Sequence, residues 1–178
     1  MAEDDAGGDG DGKADFVWQN DDGTAAVWLL DGTALRSGAL VGSNPGRSWH
    51  LVTASDTNGD GKADLIWQKT GTLKTKFTNC AVKGDLVFGL SDGVLECVEW
   101  ATGKSRWKGG RYGHGQLLRV GSHLLVLSEE GQLSLVAADG SARRELAKIQ
   151  ALEGKTWNNL CLYGDKLVLR NAQEAACY

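Results

Sequence analysis

Two short segments rich in Asp and Gly contain the residues whose types and spacing could do chemistry. The fuller segment places oxygen-bearing groups at every second position, which is how a protein loop surrounds a hard cation such as calcium. Glycines at the intervening positions 59 and 61 allow the chain to curve around an ion. The candidate ligands, with Lys62 contributing its backbone carbonyl oxygen, are Asp56, Asn58, Asp60, Lys62 and Asp64.

The spacing of this segment excludes an EF-hand. Counting from Asp56, position 12 of the loop is Trp67, where an EF-hand needs a bidentate Glu. A calcium loop here must therefore close through Asp64. The alternative is a turn rich in Asx residues with solvated carboxylates, because Asp and Asn stabilise turns without a metal. Carboxylates crowded together without a cation repel one another, and this favours the metal site.

A near copy of the segment lies close to the start of the chain. Its candidate ligands are Asp9, Asp11, Lys13 and Asp15. Position 1 of this copy falls on Gly7, so one ligand is missing, and Asp4 or Asp5 would have to replace it. Calcium binding by this copy stays open. In both copies the predicted role is structural: the ion clamps a strand connection and stabilises the fold by linkage.

The strands that follow the two segments show that the similarity is part of a longer repeat. The sequence Phe16–Gln19 corresponds to Leu65–Gln68 at a spacing of 49 residues. Repeats of this length are typical of propellers and solenoids. Turn residues divide one period into four predicted strands, which is the strand count of a propeller blade. These strands are Lys13–Asn20, Ala25–Leu30, Ala34–Val41 and Ser48–Ala54.

A different repeat begins after about residue 70. The segment Leu86–Val98 corresponds to Leu124–Val136 at a spacing of 38 residues, and a weaker copy spans Leu167–Tyr178. Each copy has two apolar strands around a turn, which predicts a hairpin. The weak helical periodicity of Arg143–Leu152 does not overturn this pattern. The sequence therefore predicts an all-β fold: a β-propeller, or partial propeller, of four-stranded antiparallel blades, with roughly four to five blades per chain.

Composition narrows the class of protein. The 25 glycines, 7 tryptophans and single proline suit short strands joined by tight turns. A net charge of −4 without a basic stripe argues against a nucleic-acid partner. No run of 18 apolar residues predicts a membrane span. The first residues contain no secretory signal, so the protein either stays in the cytosol or is a piece of a longer secreted parent, and the localisation is open.

The residues that most often catalyse reactions do not form a recognisable arrangement. The three histidines are scattered, and the one G-x-S-x-G match, Gly89–Gly93, spans the turn of the predicted hairpin Leu86–Val98, whereas the hydrolase motif requires a strand-to-helix turn. The four cysteines form no CxxC motif, and their positions on strand-like segments predict small buried core residues. They are Cys80, Cys97, Cys161 and Cys177. We therefore predict that the protein is not an enzyme.

The tryptophans allow two interpretations. Trp18 and Trp67 repeat at the 49-residue spacing and are predicted to pack between blades. Trp28 and Trp49 could line a sugar pocket, because an indole ring stacks on the apolar face of a pyranose. Packing in the core is the favoured alternative for this second pair.

The two repeats resemble two known propeller families. The segment Asp56–Trp67 resembles the FG-GAP or VCBS repeat, D-x-N-G-D-G-K-x-D followed by two apolar residues and Trp, and the similarity covers about residues 9–68. This resemblance implies a calcium loop between the first two strands of a blade. The segment Val98–Trp107 resembles the PQQ-like repeat, over about residues 72–178. That resemblance implies that Trp107 docks one blade on the next. Both families are mostly secreted or periplasmic.

We interpret the chain as an engineered or chimeric propeller scaffold with structural calcium and no dedicated catalytic activity. The expected parts are a flexible acidic N-terminus (1–8), FG-GAP/VCBS-like blades (9–70) and PQQ-like blades (71–178), forming one continuous propeller domain. The alternative is a lectin-like module that binds carbohydrate or protein. A third interpretation, a PQQ-type enzyme fragment, is disfavoured because the required carboxylate base and cysteine pair are not recognisable.

The number of strands also predicts self-association. By the family patterns the chain begins and ends within a blade, so closure of a ring within one chain stays open. Two chains could complete a ring of roughly eight to ten blades, or the terminal strands could pair across the seam of one chain. Unpaired edge strands also invite a second chain. A homodimer or larger assembly is therefore the expected partner state.

Overall fold

Short antiparallel strands joined by turns make up the regular structure of this protein. A computed structural model describes residues 9–178, and within that range it contains sixteen strands and no helix. The all-β prediction is confirmed. In chain order the strands are β1 (Phe16–Gln19), β2 (Ala25–Asp31), β3 (Ala34–Leu40), β4 (Trp49–Ser55), β5 (Asp64–Lys69), β6 (Cys80–Lys83), β7 (Leu86–Ser91), β8 (Val94–Glu99), β9 (Ser105–Arg111), β10 (Gln116–Val120), β11 (His123–Leu127), β12 (Gln132–Ala137), β13 (Glu145–Gln150), β14 (Cys161–Tyr163), β15 (Lys166–Arg170) and β16 (Ala175–Cys177).

The chain divides into two compact units, Met1–Thr70 and Gly71–Tyr178. The first, unit 1, contains a three-stranded sheet in the order β1-β2-β3 and a two-stranded sheet formed by β4 and β5. Strand β1 is shorter than predicted. The Asp15 carboxylate accepts a hydrogen bond from the backbone N–H of Leu30, 2.9 Å away, so the residues before Phe16 belong to a loop anchored on β2.

The four strands of one sequence period are divided between these two sheets. Strand β4 pairs with β5 across the second acidic segment, with Ser55 opposite Asp64, and does not pair with β3. Within residues 9–178 no third strand follows β5 in this sheet, because the residues after β5 leave the extended conformation. Leu73 and Lys76 have φ angles of +47° and +52°, which a strand does not allow. A sequence period and a sheet therefore begin at different strands.

A side-chain amide joins the two sheets of unit 1. The Nε2 atom of Gln19 donates to the carbonyl oxygen of Trp49 at 2.7 Å, and its Oε1 atom accepts from the N–H of Leu51 at 3.0 Å. The amide thus takes the place of a backbone peptide group between β1 and β4. It satisfies the carbonyl oxygen of Trp49 and the N–H of Leu51 on the side of β4 that no strand of the described residues pairs with.

The second unit, unit 2, contains two four-stranded sheets, β6-β7-β8-β9 and β10-β11-β12-β13, and the three-stranded sheet β14-β15-β16. The three predicted hairpins are the pairs β7–β8, β11–β12 and β15–β16. Strand β13 covers most of the segment with weak helical periodicity. The Asn79 amide repeats the bridging seen in unit 1: it donates to the carbonyl oxygen of Leu117 at 2.6 Å and accepts from its N–H at 3.1 Å.

Most of the buried apolar side chains lie in unit 2. One cluster lies around Phe88 and Leu124, and a second lies around Leu127 and Leu169. Trp107 packs against the first cluster and donates its indole N–H to the carbonyl oxygen of Asp139 at 2.9 Å. Among the described residues of unit 1, the buried apolar residues are two alanines, at positions 25 and 26.

The prediction that all four cysteines are buried in the core is wrong for three of them. Cys97 is buried, whereas Cys80, Cys161 and Cys177 are exposed, and all four thiols are free. All four do lie on strands. Strand residues alternate between two faces, so membership of a strand does not determine which side of a sheet a residue occupies.

Candidate functional site

The loop between β4 and β5 is organised around the side chain of Asp56. Its Oδ1 atom accepts from the N–H groups of Asn58 and Gly59, at 3.3 and 2.6 Å, and its Oδ2 atom accepts from Gly61 at 2.9 Å. Gly59 and Gly61 have φ angles of +80° and +79°, which favour glycine. The N–H groups of Gly61 and Gly59 are the main reason that the pKa of Asp56 lies below its usual value.

The other candidate ligands continue the same pattern. Asn58 Oδ1 accepts from the N–H of Asp60, and Asp60 Oδ1 accepts from the N–H of Lys62, both at 2.9 Å. Asp64 Oδ2 accepts from the N–H and the hydroxyl of Thr57, at 3.1 and 2.6 Å. These hydrogen bonds involve one oxygen each of Asp60 and Asp64, so each carboxylate has a second oxygen to offer a cation.

The first acidic loop has the same turns but a different set of ion pairs. Asp9 Oδ1 accepts from the N–H of Asp11, and Asp11 Oδ1 accepts from the N–H of Lys13. The second oxygen of Asp11 lies 2.9 Å from Nη1 of Arg36, while Lys13 forms an ion pair with Asp31. A guanidinium already balances the charge of one candidate ligand, so this loop suits a cation less well. The substitute ligands considered at positions 4 and 5 lie outside the described residues.

Folding brings the two acidic loops together. A Cβ atom built on Gly10 would lie 3.3 Å from the carbonyl oxygen of Gly61, so the loops approach each other backbone to backbone. The spacing of 49 residues identified both loops but could not place them side by side. The side-chain amide of Gln19 also joins the sheets of β1 and β4, the strands that follow the first loop and precede the second.

The donors of the second loop fit a hard cation in type. Asp60 and Asp64 offer carboxylate oxygens, Asn58 offers an amide oxygen and Lys62 offers a carbonyl oxygen, which are the ligands that calcium prefers. In the described residues no group of three or more His, Cys, Asp or Glu side chains converges closely enough to hold a metal. A cation in this loop would therefore depend on amide and carbonyl oxygens as well as on carboxylates.

The structure separates Trp28 from Trp49. Trp28 lines a cleft of about 490 Å³ together with Phe16 and Leu35, and Trp49 is not part of its lining. Lys69 lies over the ring of Trp49, with its Nζ atom 5.5 Å from the ring centroid. Trp18 packs edge-on against Trp28 of its own sheet, at 5.5 Å between centroids.

An aromatic cluster in unit 2 was not found by sequence reasoning. The ring of Phe77 lies 5.2 Å from that of His114 and 6.3 Å from that of Trp157. Glu129 accepts from the backbone N–H of His114 and from the indole N–H of Trp157, both at 3.1 Å. These hydrogen bonds lower the pKa of Glu129, and the bond from the N–H of His114 makes the larger contribution. Each ring precedes the first strand of a sheet by a few residues, a position that an alignment of the repeats could have revealed.

No helix in residues 9–178 is long and apolar enough to cross a membrane.

Comparisons with known proteins support the fold and one of the two repeats. The family model described as the FG-GAP-like repeat matches residues 9–67, which is less than half of the chain. A comparison with curated protein sequences finds no match.

Three solved structures resemble the chain at low sequence identity. The crystal structure of BamB from Moraxella catarrhalis, a propeller, is similar with a TM-score of 0.50 and 14% identity, over 90% of this chain and 56% of BamB. The chain thus spans little more than half of the length of BamB. The computationally designed Ika4 protein gives a TM-score of 0.47 at 14% identity, over 93% of this chain and 85% of Ika4. The designed Ika8 protein gives 0.42 at 15% identity, over 88% of this chain and 40% of Ika8. The fold is a β-propeller with roughly the predicted number of blades.

Proposed function

We propose that the chain is a structural propeller scaffold, a chimera of FG-GAP/VCBS-like and PQQ-like repeats, with no dedicated catalytic activity. Calcium held in residues 56–64 clamps the hairpin of β4 and β5. The observation that supports this most directly is the curvature of the loop around Asp56, which gathers three backbone N–H groups. The loop backbone is already curved, so binding a cation requires little further ordering.

The PQQ-like part of the proposal is supported by the hairpin of β8 and β9. Its turn contains Thr102-Gly103-Lys104, and Glu99 accepts hydrogen bonds from Thr102 and Arg106. Trp107 then reaches the carbonyl oxygen of Asp139, which follows β12 of the next sheet. This contact is what the PQQ-like resemblance leads one to expect of this tryptophan.

Calcium binding is tested by thermal unfolding with and without the ion. We expect calcium to raise the unfolding midpoint of the wild type, and binding at a hundred times Kd stabilises by about 2.7 kcal/mol. The variant Asp60→Asn should lose most of this gain because it removes a carboxylate ligand. Asp21→Asn, in the turn after β1, removes the same charge outside the loops and should respond as the wild type does. Identical midpoints in calcium and in chelator would reject the site.

A second function, binding of carbohydrate or protein, is favoured by the cleft beside Trp28. Its lining is mainly apolar, and an indole wall can stack on a sugar ring. A glycan array distinguishes the two functions: salt-resistant binding that Trp28→Ala abolishes, and that Trp49→Ala leaves intact, would replace the scaffold proposal with a lectin-like one.

A further inference from the structure

The sheet β1-β2-β3 exposes one face made of large apolar side chains. Strand register places them on the same side: Phe16 lies opposite Trp28, and Trp18 and Leu40 both lie opposite Ala26. Leu40 is 70% exposed and Phe16 is 62% exposed. We call this the large-residue face, and its members are Phe16, Trp18, Trp28, Leu35 and Leu40. Exposed apolar area of this kind marks an interaction surface.

The sheet β14-β15-β16 exposes a face of the opposite character. Val168 lies between Cys161 and Cys177 across the three strands, and all three are exposed. The alternate residues of β15, Leu167 and Leu169, are buried on the other side of the sheet. We call the exposed side the small-residue face after its centre, where Val168 lies between Cys161 and Cys177; Ala175 also belongs to it, and Tyr163, opposite Lys166 and 85% exposed, lies at its edge. Lys166 and Arg170 of β15 point to the same side.

The charges of the two units are complementary. Met1–Thr70 contains 12 Asp and Glu against 5 Lys and Arg, a formal charge of −7, whereas Gly71–Tyr178 contains 11 against 14, a formal charge of +3. At the large-residue face, Asp15 lines the adjoining cleft. Lys166 and Arg170 belong to the small-residue side. Complementary potentials of this kind favour contact between unlike units and oppose contact between two copies of unit 1.

Side-chain size points to the same pairing. Apolar surfaces pack densely when large side chains on one side meet small ones on the other. The large-residue face meeting itself would oppose Trp and Phe side chains of two strongly acidic units. The centre of the small-residue face, Val168 between Cys161 and Cys177, offers small side chains instead, with the basic residues Lys166 and Arg170 beside it.

We propose that the large-residue face of one copy of this chain packs on the small-residue face of a second copy, in a head-to-tail contact. The inference rests on the self-association that the sequence leads us to expect and deepens it by assigning the two surfaces. A heterologous contact of this kind closes into a ring or extends, according to the rotation between copies.

A complementation experiment tests the assignment. Leu40→Lys places a charge on the large-residue face, and Val168→Lys places one on the small-residue face. Each variant alone should be monomeric by analytical ultracentrifugation at concentrations where the wild type assembles, with association weakened at least about tenfold. An equimolar mixture retains one intact face of each kind and should form a 1:1 heterodimer. Leu146→Lys, an exposed apolar position on β13, is the control and should assemble like the wild type.

The outcomes separate this inference from the expected self-association. A wild type that stays monomeric at every concentration overturns both. Assembly of the wild type combined with normal assembly of either variant, or with a mixture that stays monomeric, overturns only the assignment of faces.

Thiol labelling provides a second readout, which reports directly on whether the small-residue face is covered. In the variant Cys80→Ser, the remaining exposed thiols are Cys161 and Cys177. Cys97 reacts slowly because burial raises its pKa to about 11. We expect labelling of the two exposed thiols to slow as the protein assembles. Adding Leu40→Lys should restore fast labelling at the same concentration. Equal rates in monomer and assembly would show that the small-residue face stays uncovered.

Discussion

At the scale of single residues, neighbouring donors determine what each acidic side chain can do. Asp56 uses both of its oxygens to collect N–H groups of its own loop. Asp11 occupies the corresponding position to Asp60 in the first loop, yet its second oxygen is bound by Arg36. Two loops with nearly the same sequence therefore differ in the capacity to receive a cation. We expect calcium to favour the second loop for this reason.

The lowered pKa of Asp56 leads to a prediction about acid stability. A carboxylate with a depressed pKa in the folded state stabilises the fold above its ordinary pKa, near 3.8, and this contribution is lost as the pH falls through the lower folded value. In chelator, the thermal unfolding midpoint of the wild type should drop as the pH falls below about 3.8. Asp56→Asn should have a lower midpoint than the wild type at pH 6, and its midpoint should fall less than that of the wild type on acidification. Circular dichroism melts from pH 6 to pH 2.5 measure both quantities.

Asp21→Asn serves as the control for losing one negative charge. The prediction fails if Asp56→Asn and Asp21→Asn give the same dependence of midpoint on pH.

At the scale of elements, tight turns determine which strands become neighbours. The turn between β11 and β12 contains Gly131, with φ of +77°. A Cβ atom at this position would lie 2.0 Å from the carbonyl oxygen of Leu152, so an adjacent segment packs directly against the turn. Gly121, between β10 and β11, has φ of +57° but nothing within 4 Å of a built Cβ atom.

These two glycines form a matched pair for a stability test. Gly121→Ala should cost about 1 to 2 kcal/mol, because alanine is strained in the left-handed region. Gly131→Ala should cost a further 1 to 3 kcal/mol, roughly, because the segment around Leu152 must also move. Urea unfolding of both variants and the wild type measures the difference. Equal losses would show that the contact with Leu152 contributes nothing.

At the scale of the whole molecule, the uneven distribution of charge matters more than the net value. The formal charge of −4 conceals an acidic unit 1 and a basic unit 2. Charges on a surface act within about one Debye length, which is about 10 Å in 0.1 M salt. An assembly that joins unlike units should therefore weaken as salt screens the attraction.

Arg170→Glu tests this electrostatic contribution. The variant should associate more weakly than the wild type in 50 mM salt, and the difference should shrink in 500 mM salt. Lys148→Glu makes the same change of charge on β13 and controls for the altered net charge of unit 2. Sedimentation at the two salt concentrations gives the dissociation constants. Equal weakening by both variants would indicate a general charge effect instead of a contact at the small-residue face.

Local patterns in the sequence were sufficient to predict the all-β fold, the three hairpins of unit 2 and the two acidic loops. Alternation of apolar residues and the positions of glycine turns act over a few neighbouring residues, so the sequence determines them directly. Contacts between distant parts of the chain decided the rest. The Gln19 amide joins the sheets of β1 and β4, and Gly10 lies against Gly61. Arg36 forms an ion pair with the Asp11 carboxylate. The packing of each sheet determines which cysteines face solvent. These features depend on which segments become neighbours in space, and no spacing along the chain specifies that.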